Sequence, residues 1–138
     1  QLLVRPPFTD VETTGSVVAN IVSGGVWMLG DDLPALSEDR LRLALSVELM
    51  DMRGMHGHPR DPLSYVSGID PGPPFEGVDP NDRVPVVWDF ADGSVALLNV
   101  SDEVVEVEGP GGLEMIRGVR AEAGPRILEP GAGELWVP

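Results

Sequence analysis

The chain has 138 residues, 42% of them hydrophobic, a net charge of −14 and no cysteine. That length suits one domain, or a small domain with a fragment beside it, and the apolar content suffices for a core. The charge repels phosphate backbones and argues against nucleic-acid binding, and the missing cysteine excludes disulfides, thiolate catalysis and thiolate metal sites.

All nine basic residues are arginine, which removes the P-loop lysine and Schiff-base chemistry from consideration. There is no apolar run of membrane-spanning length. The N-terminus, Gln1 to Pro7, lacks the basic and long apolar segments of a signal peptide. The cysteine-free composition fits a cytoplasmic protein, and the opening Gln1 with Pro6-Pro7 fits a strand end or a truncation.

Val17, Val18, Ile21 and Val22 recur at helical spacing, so a helix is expected over about 11–23, stopped by Gly24-Gly25. Val26 to Leu29 reads as a short, fully apolar strand of the parallel, buried kind. It ends in Gly30-Asp31-Asp32, and in α/β folds sites are built at such strand ends. Ser37 is a good N-cap, with Glu38 and Asp39 in the first turn, and the apolar positions from Leu41 to Met50 extend the helix to Arg53-Gly54.

Residues 54–83 form a linker in which repeated Pro, Gly and Asp oppose regular structure, pinned by Leu63, Tyr65, Val66 and Phe75. From Val84 the period becomes two. Val84–Phe90 and Val95–Val100 flank an Asp92-Gly93 hairpin tip. Val104–Glu108, Leu113–Val119, Arg126–Leu128 and Glu134–Val137 supply further strands of an antiparallel sandwich. The expected class is therefore α+β: a terminal helix-strand-helix segment (1–53), the linker (54–83) and a small antiparallel β-sandwich (84–138).

Each candidate side chain has two readings. Asp31 and Asp32 either line a sugar pocket or cap the turn before Pro34; Trp27 either stacks on a sugar ring or fills core. His56 and His58, with Asp61 nearby, are a weak metal candidate against a solvated-loop reading, and no metal or cofactor is expected. Asp61, Asp70, Asp79 and Asp82 precede or flank turns and lack calcium-loop spacing. Asn99-Val100-Ser101 matches a glycosylation acceptor, and Gly109 to Gly112 is a turn between strands rather than a phosphate loop.

The ordered combination "SGGVWMLGDDLPALSEDRLRL", a crossing with "DPLSYV", and "VPVVWDFADGSVALLNVSDEVVEV" resembles the C-terminal part of the α-galactosidase (melibiase) type of glycoside hydrolase over about residues 12–107. The resemblance implies the last β/α unit of a barrel followed by a β-sandwich, with Trp27, Asp31 and Asp32 edging the sugar site. The family's catalytic residues end earlier barrel strands, so the resemblance implies no catalytic residue in this chain. Adjacent side chains of an extended strand face opposite ways, so Asp31 and Asp32 make a poor catalytic pair. The expected partners are a sugar or oligosaccharide and either the missing barrel portion or a second copy, with neither nucleic acid nor membrane. The alternative is a stand-alone β-domain serving as a carbohydrate-binding or structural module; a metal-dependent activity through His56 and His58 is a third.

Overall fold

A computed structural model describes residues 2–60 and 86–138. The expectations on Asp61, Asp70, Asp79, Asp82, Leu63, Tyr65, Val66, Phe75 and Val84-Pro85 lie outside the described residues.

The first helix, α1 (Asp10–Ser23), starts one residue earlier than its apolar spacing indicates, because Thr9 and Glu12 form a reciprocal cap. The Glu12 backbone N–H donates to Thr9 Oγ1 and the Thr9 N–H donates to Glu12 Oε2, at 3.2 and 2.8 Å. Gly24 stops it in the left-handed conformation, with φ 62°.

The apolar run Val26–Leu29 differs from expectation. Among the described residues its only ladder contact is a parallel bridge between Leu2 and Leu29, joined by the Leu2 N–H donating to Met28 O at 3.0 Å. The Met28 N–H turns back to Val26 O. Val26 and Met28 are exposed (70% and 57%), whereas Trp27 and Leu29 pack on the core. With a neighbour on one side only among the described residues, the run buries alternate residues instead of all of them.

After a 3-10 turn (Leu33–Ala35), the single helix expected over 38–53 is two: α2 (Glu38–Ala44) and α3 (Val47–Arg53). Ser46 causes the break. Its hydroxyl accepts the Leu49 N–H and starts a second helix, the competition by which serine favours caps over helix interiors.

The remaining elements are strands: β1 (His58–Pro59), β2 (Val87–Asp89), β3 (Val95–Leu98), β4 (Val105–Gly109), β5 (Gly112–Glu114), β6 (Val119–Ala121), β7 (Gly124–Leu128) and β8 (Gly133–Val137). Two departures from the sequence reading stand out. Residues 58–59 of the linker form an edge strand, where a proline costs no ladder bond. The stretch 113–119 is a hairpin rather than one strand, turned at Gly118 with φ 70°. The Asp92-Gly93 tip is as expected: Asp92 Oδ1 accepts the Ser94 N–H and Gly93 takes φ 86°.

A six-stranded sheet runs β1-β2-β3-β8-β5-β6, and β4-β7 forms a separate two-stranded ribbon; every ladder between named strands is antiparallel. The described residues are thus a small helical part on a mostly antiparallel sheet. Strands β3 and β8 are the centre, buried on both faces. Ala96, Leu98 and Leu135 pack in one cluster with Val18 and Ile21 of α1 and with Leu2 and Val4. Val95, Leu97 and Trp136 face Leu128 and Val107 of the ribbon, and Arg126 of β7 lies 4.7 Å over the Trp136 ring. Helical and sheet segments therefore share one core, each large buried side chain contributing about 1.5–3 kcal/mol.

Glycine lets α1 sit close to the sheet. A Cβ on Gly133 would come within 2.8 Å of Thr14 O and of Val18 Cβ. The Gly133 N–H instead donates to the Thr14 hydroxyl at 3.0 Å.

Strand β1 is held to β2 at the edge by Arg60, whose Nε and NH2 donate to Asp89 Oδ2 and Oδ1 at 2.9 and 2.6 Å. These hydrogen bonds hold the Asp89 carboxyl below the ordinary carboxylate range, against a smaller opposing effect of burial. A depressed folded pKa gives stability that is complete above the unfolded value near ~4 and lost as pH falls through the folded value. Both side chains are nearly half exposed, 49% and 44%, so solvent limits the contribution to under about 1 kcal/mol. Asp89→Asn should lower the urea midpoint slightly at pH 7 and by less at pH 2, which lies below the unfolded carboxylate value near ~4. An equal loss at both pH values would show that the ion pair contributes nothing.

Candidate functional site

The loop from Gly24 to Leu36 carries Trp27, Asp31 and Asp32 together but sends them to different surroundings. Trp27 is half-buried against the core, and its indole Nε1 donates to Ala44 O at 2.9 Å, satisfying one of the terminal carbonyls of α2. Its ring thereby ties the loop to the helix that follows.

The Asp31 side chain is fully buried, 0% exposed. Its Oδ2 accepts the Val4 N–H at 2.9 Å, and Oδ1 lies 3.4 Å from Arg5 Nε without a hydrogen bond. With the Leu2–Met28 bond, this carboxylate latches residues 2–5 alongside 28–31, closing the parallel pair. Asp32 precedes the 3-10 turn without capping it through its side chain, and it is exposed. Of the two carboxylates, then, only Asp32 is open to hydrogen-bond a hydroxyl from solvent.

His56 is exposed at the unusual φ of 52°, and His58 is exposed in β1, opposite Asp89. Among the described residues, no group of three or more His, Cys, Asp or Glu is placed to hold a metal ion. Of the neighbouring methionines, Met52 is core and Met55 packs against it.

Asn99 is 1% exposed. Its Nδ2 donates to Glu103 O, Leu128 O and Glu129 O, and its Oδ1 accepts from the Ser101 N–H and hydroxyl. Asn99 is thus a buried clamp between turns, and the folded chain does not present its side chain for glycosylation.

Three features escaped sequence reading. One is the pairing of the N-terminal segment with Leu29: the opening residues fit a strand end, but nothing in them names the partner. Another is the buried carboxylate of Glu114. The third is a cleft of about 360 Å³ where Arg40, Arg42 and Arg117 meet; nothing in their spacing along the chain announces it.

No protein-family description matches this chain, and no curated protein and no solved structure matches it either.

Proposed function

We propose that this chain is the C-terminal portion of a glycoside hydrolase resembling α-galactosidase, its helical part belonging to the end of a β/α barrel and its strands to a β-sandwich. The observation that carries the reading is the parallel contact of Leu2 with Leu29 across α1. Extended segment, helix, parallel extended segment is the β/α repeat, and parallel pairs seek neighbours on both sides. Here the outer residues Val26 and Met28 are exposed, as Leu45 and Val47 are where α2 gives way to α3. That apolar surface suits further β/α units or a second copy.

In this reading the chain does not hydrolyse a glycoside alone. A retaining glycosidase sets two carboxyl groups about 5 Å apart across the sugar, whereas Asp31 is sealed inside and already bound to the backbone. The catalytic carboxylates come from the partner portion. Asp32 offers an acceptor for a sugar hydroxyl at the rim, and Trp27 and Asp31 fix the loop that carries it.

The test begins with the coding DNA upstream, translated in all frames. It should encode β/α units whose apolar strands end in Asp. The joined or co-expressed product should cleave an aryl α-galactoside, while the chain alone should not. Upstream sequence without such units, or an inert joined product, would sink the reading.

A second reading, a stand-alone β-domain for carbohydrate binding or scaffolding, is favoured by one observation: β3 and β8 are buried on both faces by this chain's own elements. A monomer in solution that keeps a single cooperative unfolding transition would support it over the first.

A further inference from the structure

We propose that the cleft between the start of α1, α2 and the turn after β5 binds a small organic monoanion, a carboxylate on an apolar body. Its volume is about 360 Å³. Three of the nine arginines of a chain with net charge −14 line it. They come from separate elements, Arg40 and Arg42 from α2 and Arg117 from the β5–β6 turn, so folding rather than sequence proximity gathers them.

Two of the three are held in place from behind. The Arg40 side chain is only 14% exposed; its guanidinium donates to Val4 O, Phe8 O and Asp10 Oδ1 at 2.7–2.9 Å. Arg117 NH1 lies 3.4 Å from Glu134 Oε1, and the other oxygen of that buried carboxylate accepts the Trp136 indole N–H at 2.7 Å. Ordering that is complete before a ligand arrives is not charged to binding. Arg42 has no hydrogen-bond or ion-pair partner among the described residues, so it is the free cation of the cleft.

Charge selects the ligand class. Asp10 and Asp39 also line the cleft. Asp10 is paired with Arg40 and Glu134 with Arg117, so among the described residues Arg42 is the one guanidinium of the cleft left to a ligand, which suits a monoanion and disfavours a dianion such as phosphate. Leu43 and Ile116 supply apolar lining for the body of the ligand, while the guanidinium fork matches a carboxylate. This site is separate from the Trp27–Asp32 loop and does not depend on the glycosidase reading.

The test is an amide NMR titration of the full chain with sodium benzoate. Benzyl alcohol, inorganic phosphate and sodium chloride at matched ionic strength serve as comparators. Benzoate should give saturable shifts at Arg42, Leu43, Ile116 and Arg117, with a dissociation constant on the order of 1–10 mM. Arg42→Gln should weaken it roughly tenfold, the loss of one charge-assisted hydrogen bond, and leave the remaining spectrum in place. Arg117→Gln should weaken it likewise. Equal shifts with sodium chloride, equal affinity for benzyl alcohol, tighter binding of phosphate, or unchanged affinity in Arg42→Gln would each overturn the proposal.

Discussion

Gly15→Ala should destabilise the protein by about 2–4 kcal/mol, although the same change in an exposed helix interior stabilises by about 1 kcal/mol. Gly15 sits in the middle of α1, where the new methyl would run into the carbonyl oxygen of Gly131 and touch its carbonyl carbon at 3.0 Å. The obstacle is backbone, and that backbone is fixed. The Gly131 N–H donates to Asn99 O, the Ala132 N–H to Glu129 O and the Asn99 N–H to Ala132 O, all at 2.9–3.0 Å. Asn99 clamps the same turn through Leu128 O and Glu129 O. Neither side can yield without breaking one of these bonds, so overpacking outweighs helix propensity. Urea unfolding should show a lower midpoint at an unchanged slope, and the melting temperature should fall by roughly 10 °C. Gly124→Ala is the control. A Cβ there meets nothing within 4 Å, so its effect should stay within about 0.5 kcal/mol. A stabilised Gly15→Ala variant would mean that α1 does not lie against the turn at all.

That contact shows where the sequence was readable and where it was not. Gly24 as a helix stop, Ser37 as a cap and Asp92-Gly93 as a hairpin tip rest on chemistry within four residues, and all three stand as read. Val17, Val18 and Ile21 were legible as one apolar stripe, and they are core. What the stripe packs against was not legible, because Gly15 and Gly131 lie at opposite ends of the chain and a missing side chain leaves no periodicity. The parallel pairing of Leu2 with Leu29 is equally non-local: the opening residues fit a strand end, but a strand end does not name its partner. Ser46 was a local signal, but it stood within an apolar pattern that continued to Met50, and its cap cut the expected helix in two. At the candidate loop, the sequence put Trp27, Asp31 and Asp32 together; only coordinates show that Asp31 faces inward while Asp32 faces water.

Glu114 is the residue whose role was least visible, and its replacement carries the other large expected effect. It lies in the run Leu113 to Val119, read only as a strand, and it is 0% exposed. Carboxylates are almost never fully buried without partners. Here the partners are backbone N–H groups: Oε1 accepts from Ile116 at 3.1 Å and from Leu135 at 3.0 Å, and Oε2 accepts from Arg117 at 2.7 Å. Two of these donors belong to the turn that makes β5 and β6 a hairpin, closed by the Gly118 N–H on Glu114 O. The third belongs to β8, so one side chain sets the turn and fastens it to the central strand. Glu114→Ala leaves all three donors without this acceptor. At about 1–3 kcal/mol for each group that stays dry, and less for any that water reaches, the loss should be about 3–5 kcal/mol. Glu114→Gln keeps the shape but aims an NH2 at an N–H, and should cost about 2–4 kcal/mol on the same grounds. Hydrogen exchange locates the effect: the Ile116, Arg117 and Leu135 amides should lose protection before the ribbon amides of β4 and β7 do. Ile116 and Arg117 also line the arginine cleft, so Glu114→Gln should weaken benzoate binding through their displacement while leaving Arg42 in place. Full protection of the three amides in Glu114→Gln would show that the carboxylate does not hold them.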